Sequence, residues 1–431
     1  MFARHYSISL NGEVSCSRIY DGSCKRIITA DVTKLGGICD AKIAAIASAF
    51  HIKYAPIFLD NRIYGSFTRE TLIKMSKKER RQMINIGIIG FGWMGQIHAK
   101  NSTFIEDCKL KAIVDVDPQK LKIAKSLYAV DTYQDYHQLL ERKDIDVVYV
   151  VTPANFHYQI VKESIQANKH VLCEKPLALT PEEVNSLREV IKKSNKKFII
   201  CFPERFTISS QEAKNMIDQG IIGKIQYLRG NFRFTMKGHE VTHGAWVFDR
   251  RKGGGLILEA SVHLWDFVRW LTNQEVISVI GIAHEYIREG FLIEDNFVAI
   301  GYLENDGIVC IDMSGAFPKD SATDKRFEII GSEGYIYIDE FKNYMTINSE
   351  KGVDANPAMI VKGMTYKDVI WHSHVEGGVK RLQEYFLRCI KKDEEPQPGI
   401  EDGARACEIS WTIMDSLKSK KMEVVKYGKC K

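Results

Sequence analysis

Ten cysteines are spread over 431 residues, and no two of them form a Cys-x-x-Cys pair. That absence leaves neither a zinc-ligand spacing nor a disulfide framework, and Cys173, Cys201 and Cys310 sit inside apolar, strand-like runs. Thiols so placed are expected to be reduced and buried, with no metal site, in a cytoplasmic protein. No uninterrupted apolar stretch reaches the ~18 residues of a membrane span, and the first residues lack the long apolar core of a signal peptide. A membrane partner is therefore not expected. An excess of one charge is missing too: Lys+Arg 60 against Asp+Glu 55 gives +5. So small and scattered a surplus gives no argument for nucleic acid. The basic run Lys77-Lys78-Glu79-Arg80-Arg81 reads as a solvated linker. Repeats and low-complexity segments are absent. What remains is a globular chain with apolar residues enough for two or three domains.

The most informative stretch that is present is Ile84-Asn85-Ile86-Gly87-Ile88-Ile89, an apolar strand running straight into Gly90-Phe91-Gly92-Trp93-Met94-Gly95. Twenty residues beyond Gly95, the apolar run from Leu110 to Val114 ends in Asp115. A strand before Gly-x-Gly-x-x-Gly, a helix after it and an acid at this distance are what a dinucleotide site requires. Gly90 permits the tight turn, Gly92 lets the backbone approach a pyrophosphate, and Gly95 lets helix and strand pack closely. The pyrophosphate is expected on the N–H groups and positive dipole end of the helix. Asp115 is suited to accept hydrogen bonds from the adenosine ribose and to repel a 2′-phosphate. Val116 supplies no cation, so NAD is expected rather than NADP.

Around this motif the chain divides into three regions: an extension over 1–82, a region over 83–203 and a region over 204–431. In the second, short buried strands at 84–89, 111–114, 147–151, 170–173 and 197–201 alternate with helical patterns at 118–127, 155–167 and 181–194. This rhythm predicts an α/β fold with a doubly wound parallel sheet. After a helix at 209–219, alternating strand patterns follow at 225–234, 276–287, 296–302, 308–314, 326–330 and 335–339. Turns such as Asn305-Asp306-Gly307 separate several of them, as antiparallel hairpins need. Helices at 377–391 and 403–418 complete the chain.

Three segments carry chemistry. Thr152-Pro153-Ala154-Asn155-Phe156-His157 follows a parallel strand, and ligands of open α/β sheets bind outside such strand ends. These residues are expected to line the cofactor cleft; Asn155 also fits a helix N-cap, and His157 alone fits a structural role. Glu174-Lys175-Pro176 closes the next strand, and the residue before a proline is held extended. A cation there can stabilise developing alkoxide charge, although a strand-end lysine is also a common exposed ion-pairing group. Finally, Glu259, His263 and Asp266 are spaced to share one side of a helix that opens with Gly253-Gly254-Gly255. His263 is suited to take a proton while a hydride leaves the adjacent carbon, with a neighbouring carboxylate to orient the ring and raise its pKa. An amphipathic helix with an ordinary ion pair gives the same spacing.

Together these residues resemble the glucose–fructose oxidoreductase, inositol dehydrogenase and rhizopine-catabolism family (Gfo/Idh/MocA) over 84–425. The likeness runs through the glycine loop, Thr152-Pro153, Glu174-Lys175-Pro176, Arg205-Phe206, the glycine block leading to Glu259 and His263, and Glu294-Asp295-Asn296. It continues with Phe327-Glu328, Gly331, Glu333-Gly334 and Glu401-Asp402-Gly403. The resemblance implies a Rossmann domain followed by an α/β domain with an open, mostly antiparallel sheet, used for homodimer or homotetramer contacts. It also implies that the last helix returns towards the Rossmann domain. The implied activity is hydride transfer between a sugar, inositol-like polyol or related hydroxylated compound and the nicotinamide of NAD, with Lys175 and His263 as the catalytic groups. Glu259 stands where the family has Asp, which leaves it to orient His263, to contact the substrate or to mark a different substrate. Arg205, in Pro203-Glu204-Arg205, is expected to shape the substrate cleft. Two other outcomes belong to such a fold: redox-neutral, NAD-using glycoside cleavage, and an NAD-binding regulator without catalysis.

Residues 1–82 do not share this likeness. Residues 30–47, followed by Tyr54-Ala55-Pro56, resemble late barrel strands of enolase-superfamily sugar-acid dehydratases, with Asp31 and Gly12-Glu13 at the matching positions. Ile57 replaces the catalytic histidine of that superfamily, so the extension reads as an inactive remnant.

Overall fold

The computed structural model describes residues 3–8, 14–19, 54–59, 62–68, 83–236, 245–288, 291–318, 321–342, 344–351 and 377–428. Two compact units divide the chain, Met1–Gln82 and Met83–Lys431. In the first, β1 (Ala3–Ile8) pairs antiparallel with β2 (Val14–Ile19), and β3 (Tyr54–Leu59) with β4 (Arg62–Thr68). Gly12, Glu13 and residues 30–47, including Asp31, lie outside the described residues.

The second unit begins with β5 (Ile84–Ile89), whose run of isoleucines is buried on both faces, as a central parallel strand demands. It continues through α1 (Trp93–Thr103), β6 (Cys108–Val114), α2 (Pro118–Tyr128), β7 (Asp131–Tyr133), α3 (Tyr136–Leu140) and β8 (Val147–Val150). Then come α4 (His157–Gln166), β9 (His170–Cys173), α5 (Pro181–Lys192) and β10 (Phe198–Ile200). The strands form one parallel sheet in the order β10-β9-β8-β5-β6-β7. Strand order reverses between β5 and β8, so the loops leaving these two strands diverge and open a crevice at their carboxyl ends. Local chemistry starts the flanking helices. The Asp117 carboxylate accepts the Gln119 N–H ahead of α2, and Thr180 with Glu183 forms a reciprocal capping box ahead of α5.

Asn155 is not an N-cap. The chain enters α4 through a tight turn, Ala154–Phe156, and α4 has no side-chain cap. Asn155 lies inside that turn, already past the point from which its side chain would reach the first free N–H groups.

Beyond the parallel sheet lie α6 (Ile208–Asp218), β11 (Ile225–Arg233), α7 (Gly255–Thr272), β12 (Val276–Arg288), β13 (Phe291–Leu303) and β14 (Ile308–Ser314). They are followed by β15 (Asp324–Gly331), β16 (Gly334–Asp339), β17 (Tyr344–Ser349), α8 (Val379–Lys392), α9 (Ile400–Ser419) and β18 (Glu423–Val424). The second sheet has the order β17-β16-β15-β11-β14-β13-β12-β18, antiparallel except for the β11–β14 pair. One face of it buries Phe297, Ile311 and Phe327 against Leu264, Trp265 and Phe267 of α7. The last two long helices return to the parallel sheet. Val379, Leu382 and Phe386 of α8 share a core with Leu172 and Ile199, while Ala404 and Cys407 of α9 join Leu177 and Ile200. Among the described residues no helix is long and apolar enough to cross a membrane. Cys108, Cys173, Cys201, Cys310, Cys389 and Cys407 are free thiols, all but Cys310 buried.

Candidate active site

The glycine turn closes the carboxyl end of β5. Gly90 has a φ of +99°, and a Cβ there would strike the Val151 carbonyl at the end of β8. A Cβ on Gly95 would strike the Gly90 carbonyl, whereas one on Gly92 would enter open space. Gly92 caps α1 in extended geometry without a side-chain hydrogen bond, and the first turn carries no acidic residue. The N-terminus of α1 thus faces a space with its positive dipole end uncompensated by side chains. Phe91 supports the turn from below. Its ring is buried against Tyr128, and its N–H donates to Asp115 Oδ2 at 2.7 Å. Asp115 Oδ1 accepts the Asp117 N–H at 2.9 Å, which holds the carboxylate in place. A cation does stand beside it: Lys120 Nζ, from the first turn of α2, is 3.7 Å from Oδ2.

The next two strand ends are stapled together. Buried His157 bridges the Thr152 carbonyl (2.9 Å from Nε2) and the Pro176 carbonyl (2.7 Å from Nδ1). Burial pulls its pKa below the ordinary value, with the two carbonyls opposing. Glu174 is equally enclosed. Its Oε1 lies 2.8 Å from His98 Nε2, and His98 is held in turn by Gln383 of α8. Burial would raise the Glu174 pKa, but the His98 hydrogen bond and nearby Lys175 outweigh it and hold the carboxyl below its usual range. Lys175 projects onward from this anchored turn. Its Nζ meets Glu259 Oε1 at 2.5 Å and the Glu259 carbonyl at 3.0 Å.

Glu259 therefore pairs with Lys175 and not with His263. The reason is electrostatic: an ammonium is a permanent charge, whereas burial pulls the His263 imidazole below its ordinary pKa and favours its neutral form. This also reverses the expected upward shift of His263. The carboxylate nearest His263 is Glu204, from the turn Pro203–Phe206 after β10, whose Oε1 is 2.9 Å from Nδ1. Asp266 lies a turn deeper in α7 and is buried against Arg205, which grips it at 2.6 and 2.8 Å and reaches Asp402 at 2.7 Å. Burial pushes Asp266 up to about 7, with Arg205 opposing.

A cleft of about 860 Å³ gathers most of these groups. Gly90, Gly92, Trp93, Met94 and Asp115 line one end, Thr152, Pro153 and Glu174 its middle, and Lys175, Glu259 and His263 the other. Beyond His263 the wall is apolar, with Phe232, Phe234, Trp246 and Phe341. Phe91, Gly95, Asn155, His157 and Arg205 do not line it. Arg205 is enclosed by Asp266 and Asp402, so it joins elements behind the cleft. Residues 84–202 match the oxidoreductase family with the NAD-binding Rossmann fold, and residues 210–337 match the GFO/IDH/MocA C-terminal domain. The chain belongs to the Gfo/Idh/MocA family.

Among relatives of this Gfo/Idh/MocA chain, myo-inositol 2-dehydrogenase of Thermotoga maritima is 28% identical over 346 residues, 78% of this chain and 97% of the relative. An NAD+-dependent scyllo-inositol 2-dehydrogenase of Bacillus subtilis is 31% identical over 276 residues, 62% of this chain and 78% of the relative. A levoglucosan dehydrogenase solved with NADH and levoglucosan shares the fold, with a TM-score of 0.70 at 22% identity, over 80% of this chain and 100% of its own.

NAD, the nucleotide of this family, fits the residues present. Gly92 leaves room where any side chain would stand, α1 offers its uncapped N-terminus, and the Asp115 carboxylate is fixed at the end of β6. Glu204 is the residue that sequence reasoning passed over. Its one visible signal is position: like Lys175, it follows the carboxyl end of a parallel strand, where ligands of such sheets gather.

Proposed function

We propose that this chain is an NAD-dependent dehydrogenase that interconverts a secondary hydroxyl and a ketone on a sugar or an inositol-like polyol. The carrying observation is that Lys175 and His263, from distant stretches of sequence, line one cleft with the glycine turn and Asp115. When bound, NAD supplies the hydride acceptor. Lys175, fixed by Glu259, holds the reacting oxygen and stabilises its developing negative charge. His263, neutral because it is buried, accepts the hydroxyl proton, and the same groups serve the reverse reduction. The inositol dehydrogenases among its relatives support a polyol or sugar substrate. Asp115 favours NAD over NADP by like-charge repulsion of a 2′-phosphate and by neutralising Lys120.

In this reading residues 83–203 hold the nucleotide, while residues 204–431 serve the substrate and oligomer contacts. The extension over 1–82 is a remnant without dehydratase activity. Buried free thiols such as Cys173 and Cys201 suit a reducing compartment, so the cytoplasm is the proposed location.

A panel of inositols, aldoses and sugar acids, followed by NADH absorbance, tests the reading. One member should give stoichiometric NADH. On that substrate Lys175→Ala and His263→Ala should each lower kcat by about 10²- to 10⁴-fold while NAD binding by calorimetry persists. Unchanged turnover in either variant would remove that residue from the chemistry.

A further inference from the structure

The helix that carries His263 lends its ring no carboxylate. Glu259, one turn before it, is engaged by Lys175, and Asp266, three residues after it, by Arg205. The ring's Nδ1 faces Glu204 Oε1 instead, at 2.9 Å. Glu204 is fully buried, and a buried carboxylate stays ionised only with a cation against it. Lys325 of β15 is that cation. Its Nζ lies 2.5 Å from Glu204 Oε1 and 3.2 Å from Oε2 of Glu340, which directly follows β16; both partners and Lys325 itself are fully buried. The same ammonium stands 4.9 Å from the centre of the Phe232 ring, which lines the cleft. Well-packed apolar side chains would generally stabilise such a core as well as these charges do. Structure alone therefore gives little reason for three ionisable groups behind one imidazole.

We propose that Glu204 is the positioning residue of His263, kept ionised by Lys325 and, through Lys325, by Glu340. The inference rests on His263 being the proton acceptor. Glu204 fixes the neutral ring with its proton on Nδ1, which leaves the lone pair of Nε2 for the substrate. When the substrate O–H bond breaks and the Nε2–H bond forms, the new imidazolium charge arises beside the Glu204 carboxylate. The Nδ1–Oε1 approach falls short of hydrogen-bond alignment, as catalytic contacts often do before substrate binds. Lys325 shares Oε1 and so limits how strongly Glu204 can raise the basicity of the ring; Glu340 offsets part of that positive charge. Burial pushes the Glu340 carboxyl above its ordinary pKa, with Lys325 opposing. The other charges near the ring are Lys175 and its partner Glu259 on the cleft side, and the Phe202 ring is 6.0 Å away.

Nitrogen-15 NMR of histidine-labelled protein tests this without any substrate, with the His263 signals assigned by their loss in His263→Gln. The expected result is a neutral His263 protonated at Nδ1, with a titration midpoint that falls by about one pH unit or more in Glu204→Gln. On the substrate found, Glu204→Gln should lose about 10- to 100-fold in kcat with KM nearly unchanged. The acid limb of its pH profile should move to lower pH, while Glu204→Asp keeps the limb in place. A proton on Nε2 in the unaltered protein overturns the proposal even if Glu204→Gln fails to fold. An unmoved midpoint, or a loss of stability with an unmoved acid limb, overturns it equally. Failure of the dehydrogenase reading would appear separately, as an absence of NADH production with the NMR result intact.

Discussion

At the scale of single residues, the glycine turn was legible because its meaning is steric and local. Gly90, Gly92 and Gly95 differ in what a methyl group would meet, and that difference yields a prediction. Gly92→Val places carbon in empty space, so the fold should survive with an unchanged melting temperature. NAD affinity, measured by calorimetry, should nevertheless fall by at least about tenfold, because a lost approach to the pyrophosphate removes more than about 1.4 kcal/mol. Retained affinity would mean that the phosphates do not cross this glycine. Lys175 and His263 stood out through the family resemblance, since a strand-end lysine and a helical Glu-His pair also fit ordinary ion pairs; the structure lines one cleft with both. Glu204 did not stand out. Its partners Lys325 and His263 lie far along the chain, and no local pattern in Pro203-Glu204-Arg205 announces them.

At the scale of elements, the sequence pattern located most strands and helices, the short apolar β8, β9 and β10 among them, and missed β7, α3, β17 and β18. The strand expected at 111–114 begins at Cys108, because Cys108 continues the ladder opposite Ile84 even though Lys109 and Lys111 break the apolar run. β7, α3 and β18 are too short to carry a period and lack the apolar run that marks the equally short β10. Helical spacing also suggested that Glu259, His263 and Asp266 would act together, yet each has a different partner: Lys175 after β9 for Glu259, and Glu204 and Arg205 of the turn after β10 for His263 and Asp266. Arg205 ties the turn after β10 to α7 through Asp266 and to α9 through Asp402. Arg205→Met leaves fully buried Asp266 without its paired cation, while Asp402 keeps Arg269 at 3.7 Å, and should cost about 3–5 kcal/mol in urea unfolding. If Arg205 instead bound substrate, the variant would raise KM with stability unchanged.

At the scale of the whole molecule, the second sheet has one face on α7, and among the described residues its other face carries exposed apolar side chains. Ile282, Val298, Ile300, Tyr302, Ile308 and Ile330 are all exposed, and Ile282 is 77% accessible. Ile282 pairs with Val298 and Tyr302 with Ile308, so these side chains form a contiguous apolar patch. Patches of this kind mark association surfaces, and a second copy of the chain is the proposed occupant. In sedimentation velocity the unaltered protein should run as a dimer or larger, and Val298→Lys with Ile300→Glu as a monomer, while far-UV circular dichroism is unchanged. A wild-type protein that already sediments as a monomer would exclude the interface.

The sequence by itself determined what is local. A strand, three glycines and a spaced acid specify a nucleotide turn, because sterics and hydrogen bonding act over a few residues. It also placed Lys175 at a strand end, where parallel topology brings functional groups together. Only the tertiary structure decided which charge answers which: Lys175 took Glu259, Arg205 took Asp266, and Glu204 came to His263 with Lys325 behind it. Coulomb attraction depends on distance through space and on burial, and helical spacing carries neither across elements that meet only after folding.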